Sequence, residues 1–254
     1  MIAGLTSERT LIPFDGERGV GRLCLPDIAR SVALFLMIVF HFVKDMELFG
    51  LVAPGTTLSG GWAVFARGIA ASFLFLSGAS LVLAHAGGFR GRAWLRRFLL
   101  IAGAACLVSL VTYAVFPSRF IYFGIMHAIA AASLFALPFL FMPAWVSMLA
   151  AAAVLSVSAV FGRGLFSSPW LAWSGLGQNV PASLDFIPLV PWLAPFLLGI
   201  AFARTVDLRR WEPSWPPWFP VHAATWPGRH SLAVYLLHQP ILMALLWVAV
   251  TLVS

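Results

Sequence analysis

Leu25-Pro-Asp27-Ile-Ala-Arg30-Ser-Val-Ala-Leu-Phe-Leu-Met37-Ile-Val-Phe-His41-Phe-Val43 decides the fold class. Its length and apolar content match the roughly 20 residues that a helix needs to cross the bilayer core. Similar runs recur at 62–86, 93–116, 120–141, 143–161, 186–203 and 231–253. The reading is therefore all-α: a polytopic membrane bundle of about seven transmembrane helices. The sixth run is interrupted by Pro188, Pro191 and Pro195, which remove backbone donors inside a helix. Residues 1–24 read as a cytoplasmic tail and 25–254 as one membrane domain, with no internal repeat of the kind that builds many transporters.

Composition agrees with a lipid solvent. The 254 residues are 61% hydrophobic and only 10% charged, against about 25% charged in an average soluble domain. Nine acids and sixteen bases cannot coat a water-soluble globule of this size, which excludes a soluble enzyme and a disordered chain. A net charge of +7 would suggest nucleic acid in a soluble protein. Here the arginines sit at the ends of apolar runs, so topology explains them and no nucleic-acid partner is expected. The tail carries Arg9, Arg18 and Arg22, the second connection Arg90, Arg92, Arg96 and Arg97, and the sixth Arg204, Arg209, Arg210 and Arg229. The alternate connections hold only Lys44, Arg119 and Arg163. Bases mark the cytoplasmic side, so the N-terminus reads as inside and the C-terminus as extracytoplasmic. The tail has no cleavable apolar region, so the first span itself reads as the insertion signal.

Ionisable groups inside a membrane cost about 2.5–3.5 kcal/mol each on insertion scales, and so invite a functional reading. His41 lies toward the outer end of the first span, with Asp45 four residues on and on the same helical face. A carboxylate in that position fixes an imidazole tautomer and raises its basicity. Arg67 on the second span, Arg119, Tyr122 and His127 at the entry to the fourth, and Asp185 at the mouth of the sixth fall at similar depth. Together they read as one outer polar site. A second set gathers at the inner side: Asp27, Arg30, Arg96, Arg97 and His230. Its plainer reading is topology and lipid headgroups; its sharper one is an anion site for the phosphates of a coenzyme A thioester. His238 lies in Tyr235-Leu-Leu-His-Gln-Pro240, where His238 and Gln239 either serve the site or satisfy a proline-kinked helix. Cys24 and Cys106 form no metal or redox motif, and no metal is expected.

Five ordered blocks resemble bacterial membrane proteins related to heparan-alpha-glucosaminide N-acetyltransferase. They are Asp27-Ile-Ala-Arg30-Ser-Val-Ala-Leu with Met37-Ile-Val-Phe-His41-Phe-Val-Lys-Asp45; Phe73-Leu-Phe-Leu-Ser-Gly78; Ile121-Tyr-Phe-Gly-Ile-Met-His127; Asp185-Phe-Ile-Pro-Leu-Val-Pro-Trp192; and Gly228-Arg-His-Ser-Leu-Ala-Val-Tyr-Leu-Leu-His238-Gln-Pro240. The resemblance implies a multi-pass protein of the bacterial plasma membrane that passes an acetyl group from acetyl-CoA to an amino sugar or polysaccharide on the far side. It also allows a homodimer. In the animal enzyme the histidine proposed to carry the acetyl group follows the first span, whereas residues 43–61 here contain no histidine. The expected mechanism is then general-base catalysis: His41, oriented by Asp45, deprotonates an amine or hydroxyl. His127, Arg67 or Arg119 steadies the oxyanion or the acceptor. The rival classes are a transporter that uses the outer cluster as its pathway and a non-catalytic membrane subunit of a glycan assembly.

Overall fold

The computed structural model describes residues 23–162, 164–211 and 219–253. The tail arginines Arg9, Arg18 and Arg22, together with Arg163 and Trp215-Pro-Pro-Trp218, lie outside the described residues. Among the described residues eight α-helices follow in order: α1 Cys24–Leu48, α2 Gly60–Ala84, α3 Gly91–Val115, α4 Ile125–Phe135, α5 Ala144–Phe161, α6 Leu189–Thr205, α7 Phe219–Arg229 and α8 Ser231–Val253. No β-strand occurs among the described residues.

Five of these helices, α1, α2, α3, α5 and α8, are long and apolar enough to cross a membrane. The count expected from hydropathy was about seven. The difference lies in α4 and α6, which are apolar but short. Residues 120–123 are not helical, because they lie extended against 183–187, and Pro138 converts the far end of the expected fourth span into a 3-10 turn, Leu137–Phe141. At the sixth, Pro188 precedes the helix and Val190 departs from helical geometry inside it. Pro195, farther along, is accommodated within α6.

The centre of the bundle is the α2–α6 pair. A Cβ on Gly78 would strike the carbonyl oxygen of Phe196, and one on Gly199 would strike the carbonyl oxygen of Phe75. The two glycines thus let the two backbones approach reciprocally, a device membrane helices use because lipid gives them little hydrophobic drive to associate. Leu74, Leu81, Phe196, Leu197 and Ile200 fill the interior around this contact. α5 packs on the other side of α6, α1 runs beside α2, α7 and α8, and α3 holds α4. Leu95, Leu99, Leu110 and Val111 on α3, and Leu149, Leu155 and Val160 on α5, are exposed apolar residues. In water such faces would drive association; on helices long and apolar enough to cross a membrane they suit a lipid surrounding.

Candidate functional site

Four side chains from two helices meet inside the bundle. α1 continues past the expected end of the first span, so His41 and Asp45 both lie on helix, with Asp45 buried. α8 brings His238, also buried, so that its ring stands edge-on to that of His41 with centroids 4.9 Å apart. Asp45 does not pair with His41. Its Oδ1 accepts instead from the Gln239 side-chain amide at 2.6 Å, a partner 194 residues away. The His238 Nδ1 donates to the carbonyl of Tyr235, which leaves the Nε2 lone pair free. Asp45 Oδ2, Gln239 Oε1 and His238 Nε2 are all buried without a hydrogen-bond partner among the described residues. A buried acceptor without a donor costs about 1–3 kcal/mol. Three such acceptors, one of them on the histidine pair itself, therefore form a cluster suited to a ligand that brings several N–H or O–H groups.

Beside this cluster a second group of residues is knitted together. Lys44 Nζ donates to the Leu184 carbonyl at 2.6 Å, which ties α1 to the segment before α6. Asp185 Oδ2 accepts from the Ile125 N–H at 3.1 Å, placing a carboxylate at the N-terminus of α4, where the helix dipole favours it. Burial raises the Asp185 carboxyl above the usual carboxylate range, while the Lys44 ammonium and the Ile125 N–H pull it the other way. Gly124 makes this approach possible, since a Cβ there would meet Asp185 Oδ2 at 2.6 Å. His127 is engaged at both ring nitrogens. Nδ1 accepts from the Gly124 N–H at 3.2 Å, so Nε2 carries the proton and donates to Ser109 Oγ at 3.1 Å. The Ser109 hydroxyl in turn donates a hydrogen bond to the Ile121 carbonyl. His127 is thereby built into the α4 cap. The Tyr122 ring packs against Phe186 at 5.4 Å.

At the N-terminal end of α1, buried Asp27 pairs with Arg30 at 2.7 Å and with Arg229 at 3.4 Å. Arg30 also donates to Ser80 on α2. Gly228 donates its N–H to Ser31 Oγ at 2.8 Å, and a Cβ on it would collide with the Asp27 carbonyl. Arg97 on α3 lies beside Arg30, so that the two guanidinium charges repel, and it has no hydrogen bond or ion pair among the described residues. Among the described residues, Asp27 pairs with two of these three guanidinium groups, those of Arg30 and Arg229.

Several expected site residues stay apart from these groups. Arg67 is exposed on α2, Arg119 joins only through its backbone carbonyl, which accepts from Leu184, and Arg96 is exposed on α3. His230 is exposed as well, packed on Trp226 and bonded to its carbonyl at 3.0 Å. Sequence reading did not single out Gln239 as the partner of Asp45, Arg229 as the second partner of Asp27, or Ser109 as the partner of His127. The signal available for Gln239 was an amide buried in an apolar span next to a proline. Among the described residues no group of three metal-ligating side chains occurs.

No curated protein matches this chain, and no solved structure does. The family model described as heparan-alpha-glucosaminide N-acetyltransferase, catalytic, matches residues 22–240. That interval contains the Asp27 group, the α4 cap and the histidine pair, and it ends one residue after Gln239. With most of its length matched and five helices fit to cross a membrane, the chain belongs to the heparan-alpha-glucosaminide N-acetyltransferase catalytic family, a family of membrane acetyltransferases.

Proposed function

We propose that this protein is an acyl-CoA-dependent acyltransferase of a bacterial plasma membrane, moving an acetyl group from a cytoplasmic CoA thioester to an extracytoplasmic sugar amine or hydroxyl. The observation that carries the reading is the edge-on pair His41–His238, in which His238 Nε2, like Asp45 Oδ2 and Gln239 Oε1 beside it, is a buried acceptor with no donor among the described residues. An amine or sugar hydroxyl supplies those hydrogens, and a neutral imidazole supplies the base. The bases at the other end of α1 suit the phosphates of CoA: Arg97 has no carboxylate partner among the described residues, and Arg30 and Arg229 share Asp27. Fourteen residues separate Asp27 from His41, roughly 21 Å along the helix, which leaves the pantetheine arm to bring the thioester toward the histidines.

In this mechanism the proton of the acceptor passes to the histidine pair as the nucleophile attacks the thioester carbonyl. Base assistance of this kind contributes roughly 10²–10⁴ in rate, and holding two substrates in register supplies much of the rest. Asp45 holds acceptor hydrogens through Oδ2, and Asp185 and His127 keep the α4 cap in position beside the cluster. Arg67 and Arg119 serve the entry of the acceptor from outside, and Arg96 and His230 the lipid headgroup region or the nucleotide. The test is acetyl-CoA binding and CoA release by detergent-purified protein, wild type beside His41→Ala. Binding with histidine-dependent CoA release is expected. Substrate flux in liposomes without any CoA release would favour a transporter instead.

A further inference from the structure

Of the two facing histidines, only one has its tautomer fixed. The Nδ1–H of His238 points to the carbonyl of Tyr235, one turn back on the same helix. Its Nε2 is consequently the unprotonated nitrogen, and it is buried with no partner among the described residues. Neither ring nitrogen of His41 has a hydrogen bond among the described residues. The Asp45 carboxylate, which the sequence pattern offers to His41, is committed to Gln239. Because a carboxylate only accepts, the Gln239 side chain must turn its NH₂ to Asp45 and its Oε1 away. The pair Asp45–Gln239 thus presents two further acceptors, Asp45 Oδ2 and Gln239 Oε1.

We propose that His238, through Nε2, is the proton acceptor for the incoming nucleophile, and that Asp45 Oδ2 and Gln239 Oε1 hold its remaining hydrogens. This assignment rests on the acyl-transfer reading above. The N–H or O–H bond of the acceptor breaks and its proton goes to His238 Nε2, while the new N–C or O–C bond forms at the thioester carbonyl. The C–S bond then breaks, its electron pair leaves on sulfur, and the His238 imidazolium returns the proton to give the CoA thiol. The Tyr235 carbonyl holds Nδ1–H throughout, the same service that a third group gives the base of a catalytic triad. His41 is a positioning residue here: its ring stands edge-on to His238 and holds the imidazole plane.

The experiment is CoA-thiol release from acetyl-CoA with glucosamine as the probe acceptor, using the full chain in detergent and comparing wild type, His238→Ala and His41→Ala. Each variant is first shown to bind acetyl-CoA as wild type does, so that misfolding is separated from lost chemistry. His238→Ala should lose roughly 10²–10⁴-fold in kcat. Added imidazoles should restore part of the rate, more so as their basicity rises, while His41→Ala is not rescued. Gln239→Met should raise KM for glucosamine about tenfold with a smaller change in kcat. A His238→Ala rate within threefold of wild type overturns the assignment. So does a loss that no imidazole restores, or rescue of His41→Ala in its place. If wild type releases no CoA at all, the acyl-transfer reading itself falls and takes this assignment with it.

Discussion

Gln239 on α8 donates its side-chain amide to Asp45 on α1 at 2.6 Å, joining the outermost spans of the sequence inside the bundle. Both groups keep one oxygen without a partner among the described residues, so the contact is half structural and half open to a ligand. Gln239→Leu should destabilise the protein by about 1–3 kcal/mol, because it leaves the Asp45 carboxylate buried and unsatisfied. Asp45→Leu combined with Gln239→Leu should cost less than the sum of the two single changes. A coupling of about 0.5–3 kcal/mol is expected for side chains in direct contact. Denaturation in detergent, followed by tryptophan fluorescence, reads the cycle.

The Asp27 group predicts a separation of stability from CoA affinity. Asp27→Ala removes the buried carboxylate that Arg30 and Arg229 share, and a lost hydrogen bond to a charged group costs about 1.5–3 kcal/mol. That variant should fold poorly. Arg97→Gln removes a charge that has no ion pair among the described residues, so it should unfold like wild type. Its acetyl-CoA Kd should rise about tenfold, equivalent to 1.4 kcal/mol. Equilibrium binding beside a thermal melt distinguishes the two effects.

Glycines at the α2–α6 contact and away from it should answer differently to the same substitution. Gly78→Ala and Gly199→Ala drive a methyl group into a backbone carbonyl across the α2–α6 contact. Overpacking of this kind costs about 1–3 kcal/mol or more. Gly68 on α2 has open space around its Cβ position. Gly68→Ala should therefore be neutral or gain up to about 1 kcal/mol from helix propensity. Melting temperatures of the three variants test the ordering.

Asp185 carries a pH dependence. Its carboxyl is raised above the usual range by burial. A group with a raised folded-state value contributes stability that is fully present below its unfolded value and is lost as pH rises through the folded one. Asp185→Asn keeps an oxygen for the Ile125 N–H but has no charge to bury. The variant should therefore gain on wild type in melting temperature as pH rises from acid to neutral, while Asp185→Leu, which removes the acceptor, should melt lower throughout. Parallel melts across that range check the sign.

The long spans were legible because a run of about 20 apolar residues has one stable solution in lipid. The predicted last span, 231–253, coincides with the helix Ser231–Val253. Hydropathy could not separate helix from buried extended chain, and so it read 120–123 as part of a span. What decides that segment is its pairing with 183–187, where Ile187 donates to the Phe123 carbonyl at 3.0 Å. Local polar pairs were readable by spacing: Asp27 and Arg30 are three residues apart and do meet. His41 and Asp45 share a face by the same rule, yet the carboxylate turns to Gln239 because the α1–α8 contact brings an amide closer to it. Likewise nothing in the spacing around His127 announces Ser109, whose hydroxyl arrives from α3. Partners supplied by another helix are set by packing, which single-helix periodicity does not encode.

The central claim is that the histidine pair at the α1–α8 contact performs acyl transfer from a CoA thioester. The most direct measurement is transfer of labelled acetyl from acetyl-CoA to glucosamine by purified protein, comparing wild type with the His41→Ala, His238→Ala double variant at matched acetyl-CoA binding. The account predicts transfer by wild type and a loss of at least about 10²-fold in the variant. Equal transfer by the two proteins, or none by wild type despite bound acetyl-CoA, would contradict it.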